Sequence, residues 1–406
     1  MQELLKKALE EIKLSKTEEK KLLKIAKAVI KKIKIGKAKS VLGGSAAKGT
    51  WLQNNHDIDI YVKFDLYKYK NENISEILKK ELVKKFGKVE VLHGSRDYFQ
   101  IKEQGYDIEI VPILKIKNAT QALNITDISP LHVKWVRKHR KLADEMRLAK
   151  TFFKANKLYG AESYIKGFSG YVLEILVAYY GSFASFVTDL ARWDNNSKKI
   201  IDVEGYYIGK DILQELNVAK VVSPLILIDP VQKERNAAAG VGKQTFSKVI
   251  NLANEFLSKP SIKYFVKQTV TKNSLNKGIV LEVVPLEGKK DVVGAKLLKC
   301  FEYIKQGLRK NDFIVEEADW EYEDKTLFWF KIKQEKLSKS KKHLGPFVKD
   351  KESVKHFKQV WKGSKVLKDK DRVYVMKKRK YLDPKKLIKD LIKSDYIKEK
   401  VKGVKL

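Results

Sequence analysis

The sequence predicts a multidomain α+β protein, and three features support this fold class. The chain has 406 residues, 43% of them hydrophobic, which is enough for two to four domains with buried cores. Two segments, 57–64 and 107–112, alternate apolar and polar residues as half-buried strands do. Residues 141–258 repeat apolar residues mainly at helical spacing. The predicted parts of the chain are 1–140, 141–258, 259–340 and 341–406.

The first part is predicted to combine strands with flanking helices. Residues 15–18 have the pattern of a capping box that starts a helix, and 74–86 form a second, amphipathic helix. A strand at 40–42 leads into a glycine turn. In the alternating strand that follows, the isoleucines face the core, so Asp57 and Asp59 share the opposite face.

The later parts are predicted to be a helical region, an α+β body and a basic tail. The helical region contains helices at 147–157 and at 171–187, of which the second is strongly apolar. In the body, apolar residues stripe a helix over 293–308, between strands at 278–284 and 326–332. A lysine-rich stretch marks the boundary before the tail.

Positive charge is the strongest global signal in the composition. The chain carries 85 Lys and Arg against 50 Asp and Glu, a formal net charge of +35. Residues 331–406 contain 27 Lys and Arg and nine Asp and Glu, which is about half of the excess. Such a field attracts a polyanion. A surface that serves only solubility is the alternative, and an anionic membrane is a weaker one because no broad apolar helix face accompanies the charge.

Cysteine usage and the chain start indicate the compartment. The single cysteine, Cys300, excludes disulfides and thiolate metal sites as organising devices. The chain opens with a charged stretch of helical period, so no signal peptide is expected. The most apolar run, 171–187, is too short and too polar for a membrane span. We therefore expect a cytoplasmic protein with no membrane partner.

The stretch GGSAAKGTWLQNNHDIDI, residues 43–60, carries the clearest chemistry. The Cα atoms of Asp57 and Asp59 are about 6.6 Å apart along one strand face, so both carboxylates can reach one metal ion or a pair of ions. Oxygen ligands of this kind select Mg²⁺. A third carboxylate on the second alternating strand, Glu109 or Asp107, would complete a two-metal site for in-line phosphoryl transfer.

The glycine turn fits a triphosphate beside these carboxylates. Glycines let the backbone approach phosphate oxygens closely, and residues 45–52 can start a helix whose free N–H groups favour anions. Lys48 adds a positive charge. The alternative is an ordinary turn that leads into an exposed strand. The spacing of the turn, the aspartate pair and the later carboxylate strand favours the functional interpretation.

These motifs resemble those of the polymerase-β-type nucleotidyltransferase superfamily. The longer motif, GSAAKGTWL at 44–52 followed by DIDI at 57–60, is similar to the archaeal-type (class I) CCA-adding enzymes, which are tRNA nucleotidyltransferases. The similarity extends over most of the chain. The matching segments are SPLHVKW at 129–135, RLAK at 147–150, LYGAE at 158–162, KGFSGY at 166–171, DP at 229–230, RN at 235–236 and HLGP at 343–346. The resemblance implies a nucleotidyltransferase palm, a helical neck that recognises the nucleotide base, an α+β body and a tRNA-binding tail.

The resemblance also implies an activity and a set of site residues. The activity is template-independent addition of CCA to the 3′ end of tRNA from CTP and ATP, with release of pyrophosphate. Two Mg²⁺ ions are assigned to Asp57, Asp59 and Glu109. The nucleotide-binding residues implied are Gly44, Ser45, Lys48, His132, Lys150, Tyr159 and Arg235. The chain departs from the family pattern at two positions, with Glu109 where Asp is usual and Lys48 where Arg is common.

Three of the implied nucleotide contacts have structural alternatives. His132 could be a structural histidine, and Tyr159 could cap a hydrophobic helix end. Lys150 lies on the lysine-bearing face of its predicted helix, which by itself indicates a solvated stripe.

The resemblance implies that Arg235 reads the incoming base together with tRNA phosphates. A planar guanidinium suits the edge of C or A, although an ion pair with Asp229 or Glu234 is the alternative. The basic tail is implied to hold the acceptor stem and TψC arm of tRNA by charge and shape. Two alternative functions stay open, a poly(A) polymerase or other terminal ribonucleotidyltransferase on the same palm, and an inactive RNA-binding relative. The sequence also leaves open whether the chain forms a homodimer.

Overall fold

The computed structural model describes residues 1–53, 57–267, 278–322 and 326–406. Residues 54–56, which belong to the predicted glycine-to-aspartate stretch, lie outside the described residues. Contacts divide the chain into two units, Met1–Gln268 and Thr269–Leu406, and each is described by itself. The division into four parts stays a prediction.

The first unit contains a five-stranded sheet, a set of helices and a small second sheet. Its helices are α1 (Gln2–Ile12), α2 (Lys16–Lys32), α3 (Gly44–Lys48), α4 (Leu66–Tyr69), α5 (Ile74–Phe86), α6 (Ser129–Lys138), α7 (Ala143–Ala155), α8 (Gly170–Tyr180), α9 (Phe183–Leu190), α10 (Ile212–Glu215) and α11 (Lys243–Ser258). Its strands are β1 (Lys39–Leu42), β2 (Asp57–Asp65), β3 (Glu90–Leu92), β4 (Tyr98–Glu103), β5 (Tyr106–Lys115), β6 (Lys199–Ile201), β7 (Leu225–Asp229) and β8 (Gln232–Asn236).

The five-stranded sheet brings the two predicted carboxylate strands side by side. Its order is β1-β2-β5-β4-β3, with β2 and β5 parallel and the other pairs antiparallel. Both central strands alternate as predicted, because Ile58 and Ile60 are buried on one face while Asp57 and Asp59 lie on the other. The helix predicted over 74–86 is confirmed with those bounds, and it packs with α2 on the apolar face of the sheet.

The helical region of this unit has its own core, rich in phenylalanine. The sequence predicts one helix over 171–187, and this is wrong: α8 ends at Tyr180 and α9 begins at Phe183. Gly181 adopts a left-handed conformation with φ of 78°, and the Ser182 side chain accepts a hydrogen bond from the Ser185 N–H. These two local preferences end one helix and start the next.

Residues 141–258, for which the sequence pattern predicts mainly helices, also contain a small sheet that this pattern does not predict. Strands β6, β7 and β8 form it in that order, with β6 and β7 parallel and β7 and β8 antiparallel. All five residues of β7 are buried, so this strand has no polar alternation for the sequence pattern to show.

Across the described ranges, no single helix is both long and apolar enough to cross a membrane. Helices α8 and α9 reach that length and composition only together, and the pair is bent by 96°.

The second unit is an α+β fold in which a long helix packs on a four-stranded sheet. Its helices are α12 (Lys290–Lys310), α13 (Lys351–Val360), α14 (Pro384–Leu391) and α15 (Asp395–Lys398). Its strands are β9 (Ile279–Pro285), β10 (Val315–Tyr322), β11 (Thr326–Ile332), β12 (Ser340–Phe347), β13 (Leu367–Asp369), β14 (Arg372–Lys378) and β15 (Val401–Lys405). The larger sheet has the order β10-β11-β9-β15, and the smaller one β12-β14-β13.

The end of the chain completes the core of this second unit. Strand β15 pairs antiparallel with β9, and Ile388, Ile397 and Val401 are buried in the same core as Leu297 and Phe328. The lysine-rich composition of the tail is therefore compatible with a folded segment, because some of its apolar side chains contribute to this core.

Removal of the Phe152 ring tests the core of the helical region. Phe152 is fully buried and contacts the rings of Phe153, Phe183 and Phe256. Phe152→Ala should lower the free energy of unfolding by about 3–5 kcal/mol, measured by urea denaturation. Tyr67→Ala, at a side chain that is 80% exposed, is the control and should change it by less than about 0.5 kcal/mol. An equal loss in both variants would contradict this description of the core.

Candidate active site

The predicted metal-binding carboxylates converge on one face of the five-stranded sheet. Because β2 and β5 run parallel, Asp57 lies opposite Asp107 and Asp59 lies opposite Glu109. Adjacent strands are about 4.8 Å apart, so carboxylates at paired positions on the same face are close neighbours. Asp107 also makes a 3.7 Å ion pair with Lys102 on β4. The register therefore favours Glu109 over Asp107 as the partner of Asp59.

Burial and mutual repulsion raise the pKa values of two of these carboxylates. Burial, reinforced by Asp57 and opposed by Lys48, raises the pKa of Asp59 to about 6. Burial and the charges of Asp59, Asp57 and Asp107 raise the pKa of Glu109 to about 7. Like charges on one sheet face disfavour ionisation, and a bound cation removes that penalty.

The carboxylate face is suited in composition, though not preassembled in geometry, to a divalent cation. Among the residues that the structure describes, no three His, Cys, Asp or Glu side chains already form a metal-binding group. The donor set consists of carboxylate oxygens, which Mg²⁺ prefers. Burial, followed by repulsion between the carboxylates, raises the pKa of Asp59 and of Glu109. These residues fit the ion, which would draw the side chains together.

The glycine turn lies directly against Asp59. Gly44 has φ of 53°, and a Cβ atom placed on it would lie 1.6 Å from Asp59 Oδ2. A Cβ on Gly43 would lie 2.7 Å from the ring of Tyr61 on the same strand. The Gly43 N–H donates to the Asp59 carbonyl at 2.8 Å. Only glycines therefore allow the turn to approach the carboxylate face so closely.

The turn continues into the short helix α3, which ends at Lys48 and carries Ser45 as its second residue. The Lys48 ammonium donates to Glu174 Oε2 at 2.7 Å and lies 5.0 Å above the centre of the Tyr171 ring. Lys48 also lowers the pKa of Asp59, so its charge acts on the carboxylate face. Glu174 belongs to α8, far along the chain.

Lys150 converges on the same glutamate from helix α7. Its ammonium donates to Glu174 Oε1 at 2.7 Å and to the Thr50 hydroxyl at 2.8 Å, and it is only 4% exposed. The solvated lysine stripe that the helix pattern indicates is therefore wrong for Lys150. Burial lowers the pKa of Lys150 to about 8, so the ammonium stays charged at neutral pH.

Glu174 is an ionised carboxylate in a fully buried position. Burial alone would raise its pKa, but the charges and hydrogen bonds of Lys150 and Lys48 outweigh this and lower the pKa to about 2. The Thr50 hydroxyl donates a third hydrogen bond to it at 2.7 Å. One anion thus balances part of the charge of two cations.

Arg147 fixes the backbone that follows the turn. Its guanidinium donates to the Trp51 carbonyl at 2.9 Å and to the Gly49 carbonyl at 2.6 Å. An ion pair with Asp144 one helical turn earlier holds the guanidinium in place. Helix α7 therefore anchors the turn through both Arg147 and Lys150.

A second buried carboxylate, Asp229 at the end of β7, contacts two of the predicted nucleotide-binding residues, Arg235 and His132. It accepts from Arg235 Nη1 at 2.5 Å, from His132 Nε2 at 3.2 Å and from the Tyr171 hydroxyl at 3.1 Å. The Tyr171 ring stacks on His132 with centroids 4.0 Å apart. The alternative interpretation of Arg235, an ion pair with Asp229, is confirmed as a contact, and 31% of the Arg235 side chain remains exposed.

Burial makes the histidine of this cluster a neutral group. Burial lowers the pKa of His132, with Arg235 and Lys48 acting in the same direction, although Asp229 opposes the shift. Neutral imidazole then donates through Nε2 to the carboxylate, which leaves its other ring nitrogen as an acceptor.

Tyr159 is close enough to both the carboxylate face and Glu174 for their charges to affect its hydroxyl group. Its pKa is raised by burial and by the charges of Glu174, Glu162, Asp59 and Asp57. The Lys154 ammonium lies 4.9 Å above the centre of its ring. The structure therefore brings Tyr159 together with the other predicted site residues of the first unit.

The sequence pattern does not identify Glu174 or Tyr171 as site residues, and it gives Asp229 only as a neighbour of Arg235. Glu174 interrupts an apolar run, which was the one signal that could have indicated it. A lone carboxylate at the centre of an apolar helix needs a buried partner, and two lysines provide it here.

The fold and the carboxylate face define a nucleotidyltransferase domain of the polymerase-β type. The family model of that domain matches residues 22–132. Among solved structures, the chain is similar to a cytoplasmic RNA terminal U-transferase, with a TM-score of 0.51 and 17% identity over 66% of this chain and 100% of that one. It is also similar to the Cid1 poly(U) polymerase, with a TM-score of 0.52 and 15% identity over 66% of this chain and 98% of that one. These likenesses concern the fold.

The family follows from two further models and from curated relatives. The second domain of tRNA nucleotidyltransferases matches residues 144–266, and the C-terminal domain of CCA-adding enzymes matches 287–401. The CCA-adding enzyme of Nanoarchaeum equitans is 39% identical over 75% of this chain and 76% of its own length. The CCA-adding enzyme of Methanocaldococcus jannaschii is 31% identical over 97% of this chain and 91% of its own length. The chain belongs to the CCA-adding enzyme family of tRNA nucleotidyltransferases.

Gly44→Ala tests the close approach of the turn to Asp59. The new Cβ should displace the Asp59 carboxylate, and a shift of about 1 Å at a reacting centre costs about 100-fold in rate. Gly49→Ala is the matched control, since Gly49 also has positive φ but its Cβ would meet nothing within 4 Å. Both variants should lose about 1 kcal/mol of stability from backbone strain, and only Gly44→Ala should lose nucleotide addition. Equal activity of the two variants would contradict the packing described.

Asp59→Asn tests the repulsion on the carboxylate face. The folded-state pKa of Asp59 is raised to about 6, so its contribution to stability is present below its ordinary pKa of 3.8 and is lost as pH rises through about 6. In EDTA near pH 8, Asp59→Asn should therefore be more stable than the parent chain by about 1–3 kcal/mol, and the difference should shrink towards pH 4.

The exposed Glu90 provides the control for that measurement. Glu90→Gln should leave stability almost unchanged across the same pH range. Added Mg²⁺ should then stabilise the parent chain more than Asp59→Asn. A pH-independent difference between Asp59→Asn and the parent would show that repulsion is not released by the substitution.

Proposed function

We propose that this chain completes tRNA by adding C, C and A to its 3′ end from CTP and ATP, with release of pyrophosphate. One observation carries the proposal: the Gly44 turn lies against Asp59 while Lys48 faces the same place. The glycine turn, the carboxylates and a lysine charge therefore meet at one place. Family membership supports tRNA as the polymer that is extended.

In this proposal Asp57, Asp59 and Glu109 hold two Mg²⁺ ions. Bound Mg²⁺ would stabilise the attacking and leaving oxygens of an in-line displacement. The register of β2 and β5 supports Glu109 as the third ligand, because it lies opposite Asp59. Its longer side chain keeps the oxygen donors that the ion requires.

The triphosphate is proposed to lie over α3. Gly44 allows close approach of the backbone, and Ser45 follows at the start of the helix, where N–H groups lack intrahelical acceptors. Lys48 contributes charge next to the carboxylates, and Lys150 adds charge at the shared glutamate. The Tyr159 hydroxyl lies near Lys150 and Gly170. Charge on the phosphates increases as pyrophosphate leaves, so these fixed cations favour the transition state.

The incoming base is proposed to meet the Asp229 cluster. Asp229 orients the Arg235 guanidinium through one N–H and leaves further donors of the same group for acceptors on C or A. The neutral His132 ring, stacked on Tyr171, provides an additional acceptor and a flat surface. A rigid donor set of this kind suits the acceptors that C and A present.

The second unit is proposed to bind the acceptor stem and TψC arm of tRNA. Residues 331–406 carry 27 Lys and Arg against nine Asp and Glu, and aromatic residues such as Trp361 and Tyr374 lie under lysine ammonium groups. Phosphate neutralisation makes such binding steeply dependent on salt, and A-form duplex is recognised by shape. Recognition of shape suits an enzyme that serves many tRNA sequences.

A stop assay tests the proposed function. The full chain is incubated with tRNA that lacks its terminal CCA, together with CTP, ATP and Mg²⁺. Growth should end after three nucleotides, resolved on a sequencing gel. Asp59→Ala should add none and should bind tRNA nearly as well as the parent chain. A homopolymer of A would instead identify a poly(A) polymerase, and equal loss of addition and tRNA binding would show that Asp59 maintains the fold.

A further inference from the structure

Glu174 is the most unusual charged residue outside the predicted catalytic set. It is fully buried on α8, between Leu173 and Ile175, which are also fully buried. Its carboxylate accepts three hydrogen bonds of 2.7 Å, from Lys48, Lys150 and Thr50. No other residue within the buried stretch of α8, Val172–Val177, is charged.

Stability alone does not account for this cluster. Removing charges from water costs several kcal/mol per ion, and well-packed apolar residues of similar volume often stabilise a fold equally well or better. Helix α8 is otherwise apolar on all sides, so an apolar residue at position 174 would suit its surroundings. The charge is better explained by what it does to its two lysine partners.

The two lysines have different roles in the cluster. Lys150 directs its ammonium to Glu174 Oε1, the Thr50 hydroxyl and the Thr50 carbonyl, and its side chain is 5% exposed. Lys48 donates to Glu174 Oε2, and its side chain is 12% exposed. An ammonium has three donors, so Lys48 keeps N–H groups for an anion on the side of the carboxylate face.

We propose that Glu174 is a positioning residue for the nucleotide triphosphate, because it holds the Lys48 ammonium beside the glycine turn and keeps Lys150 charged behind it. This inference rests on the proposed function, which sets the triphosphate over α3. Two lysines and one glutamate leave one net positive charge at this point. That charge is fixed before the nucleotide arrives, so little reorganisation is needed on binding.

Loss of the carboxylate has a consequence for Lys150 that a purely structural residue would not have. The charged groups that act on Lys150 are Glu174 on α8, Lys48 on α3 and Lys154 on its own helix. The Tyr159 hydroxyl also lies close by, and burial raises its pKa so that it stays neutral. Without Glu174 only cations remain, and a buried lysine without a counterion releases its proton near neutral pH.

The experiment compares nucleotide binding by four variants and the parent full-length chain. The variants are E174Q, E174D, the double variant E174Q/K150M, and D189N as control. Asp189 is paired with Lys199 and bonded to Tyr180 in the same unit, and none of these residues belongs to the proposed site. Calorimetry measures the affinity for CTP and for inorganic tripolyphosphate, each with Mg²⁺, from about pH 6 to about pH 8. Ratios to the parent chain cancel the titration of the ligands themselves.

E174Q should weaken binding of both ligands by about tenfold near neutral pH, as expected for loss of one charge-assisted contact. The ratio of the dissociation constant of E174Q to that of the parent chain should increase as pH rises, because Lys150 loses its proton in the variant. E174D keeps the charge and should restore a pH-independent ratio. E174Q/K150M should bind both ligands about tenfold more weakly than the parent chain at every pH. If E174Q does not fold, this double variant tests the proposed role of Glu174. D189N should match the parent chain.

Parent-like affinity in E174Q or in the double variant would overturn the proposal. So would a pH-independent deficit in E174Q, or an E174D variant that behaves like E174Q. In the stop assay, E174Q should raise the KM for CTP and leave tRNA affinity unchanged. If the parent chain binds CTP yet adds no nucleotide to tRNA, the proposed function fails while the binding ratios still decide the role of Glu174.

Discussion

Compensation of buried charge in the first unit is the constraint on which its site depends. The turn after β1 carries Lys48 close to a sheet face with several carboxylates, and the partly buried ammonium has Glu174 as its counterion. Glu174 balances Lys48 and Lys150 inside the unit, and Arg147 fixes the neighbouring backbone through two carbonyls. Helices α7 and α8 thereby attach the turn to the helical region.

The same arrangement recurs at the other end of the site. Asp229, fully buried at the end of β7, orients Arg235 and His132 as Glu174 orients the two lysines. Both carboxylates lie in the helical region. Burial opposes ionisation in each, but Lys150 and Lys48 lower the pKa of Glu174, and His132 and Arg235 lower the pKa of Asp229. On the sheet face, burial and neighbouring carboxylates raise the pKa of Asp59 and of Glu109. Because of this difference, an added cation should bind more favourably at the sheet face than at Glu174 or Asp229.

Much of the fold follows from local patterns. Period-two alternation defines β2 and β5, and helical spacing defines α5 with its correct bounds, because these elements each expose one face and bury the other. The pattern fails where burial is complete. Apart from Glu174 and Asp229, α8 and β7 consist almost entirely of apolar residues, so periodicity indicates neither the break at Gly181 nor the strand at 225–229.

The sequence by itself determined which carboxylates share the sheet face. A glycine turn and two aspartates one residue apart are local features, and strand geometry alone puts Asp57 and Asp59 together. Only the tertiary structure decided which residues support them. Glu174 is separated from Lys48 by 126 residues, and Asp229 from His132 by 97. Contacts at such separations depend on how sheet and helices pack, and no spacing along the chain encodes them.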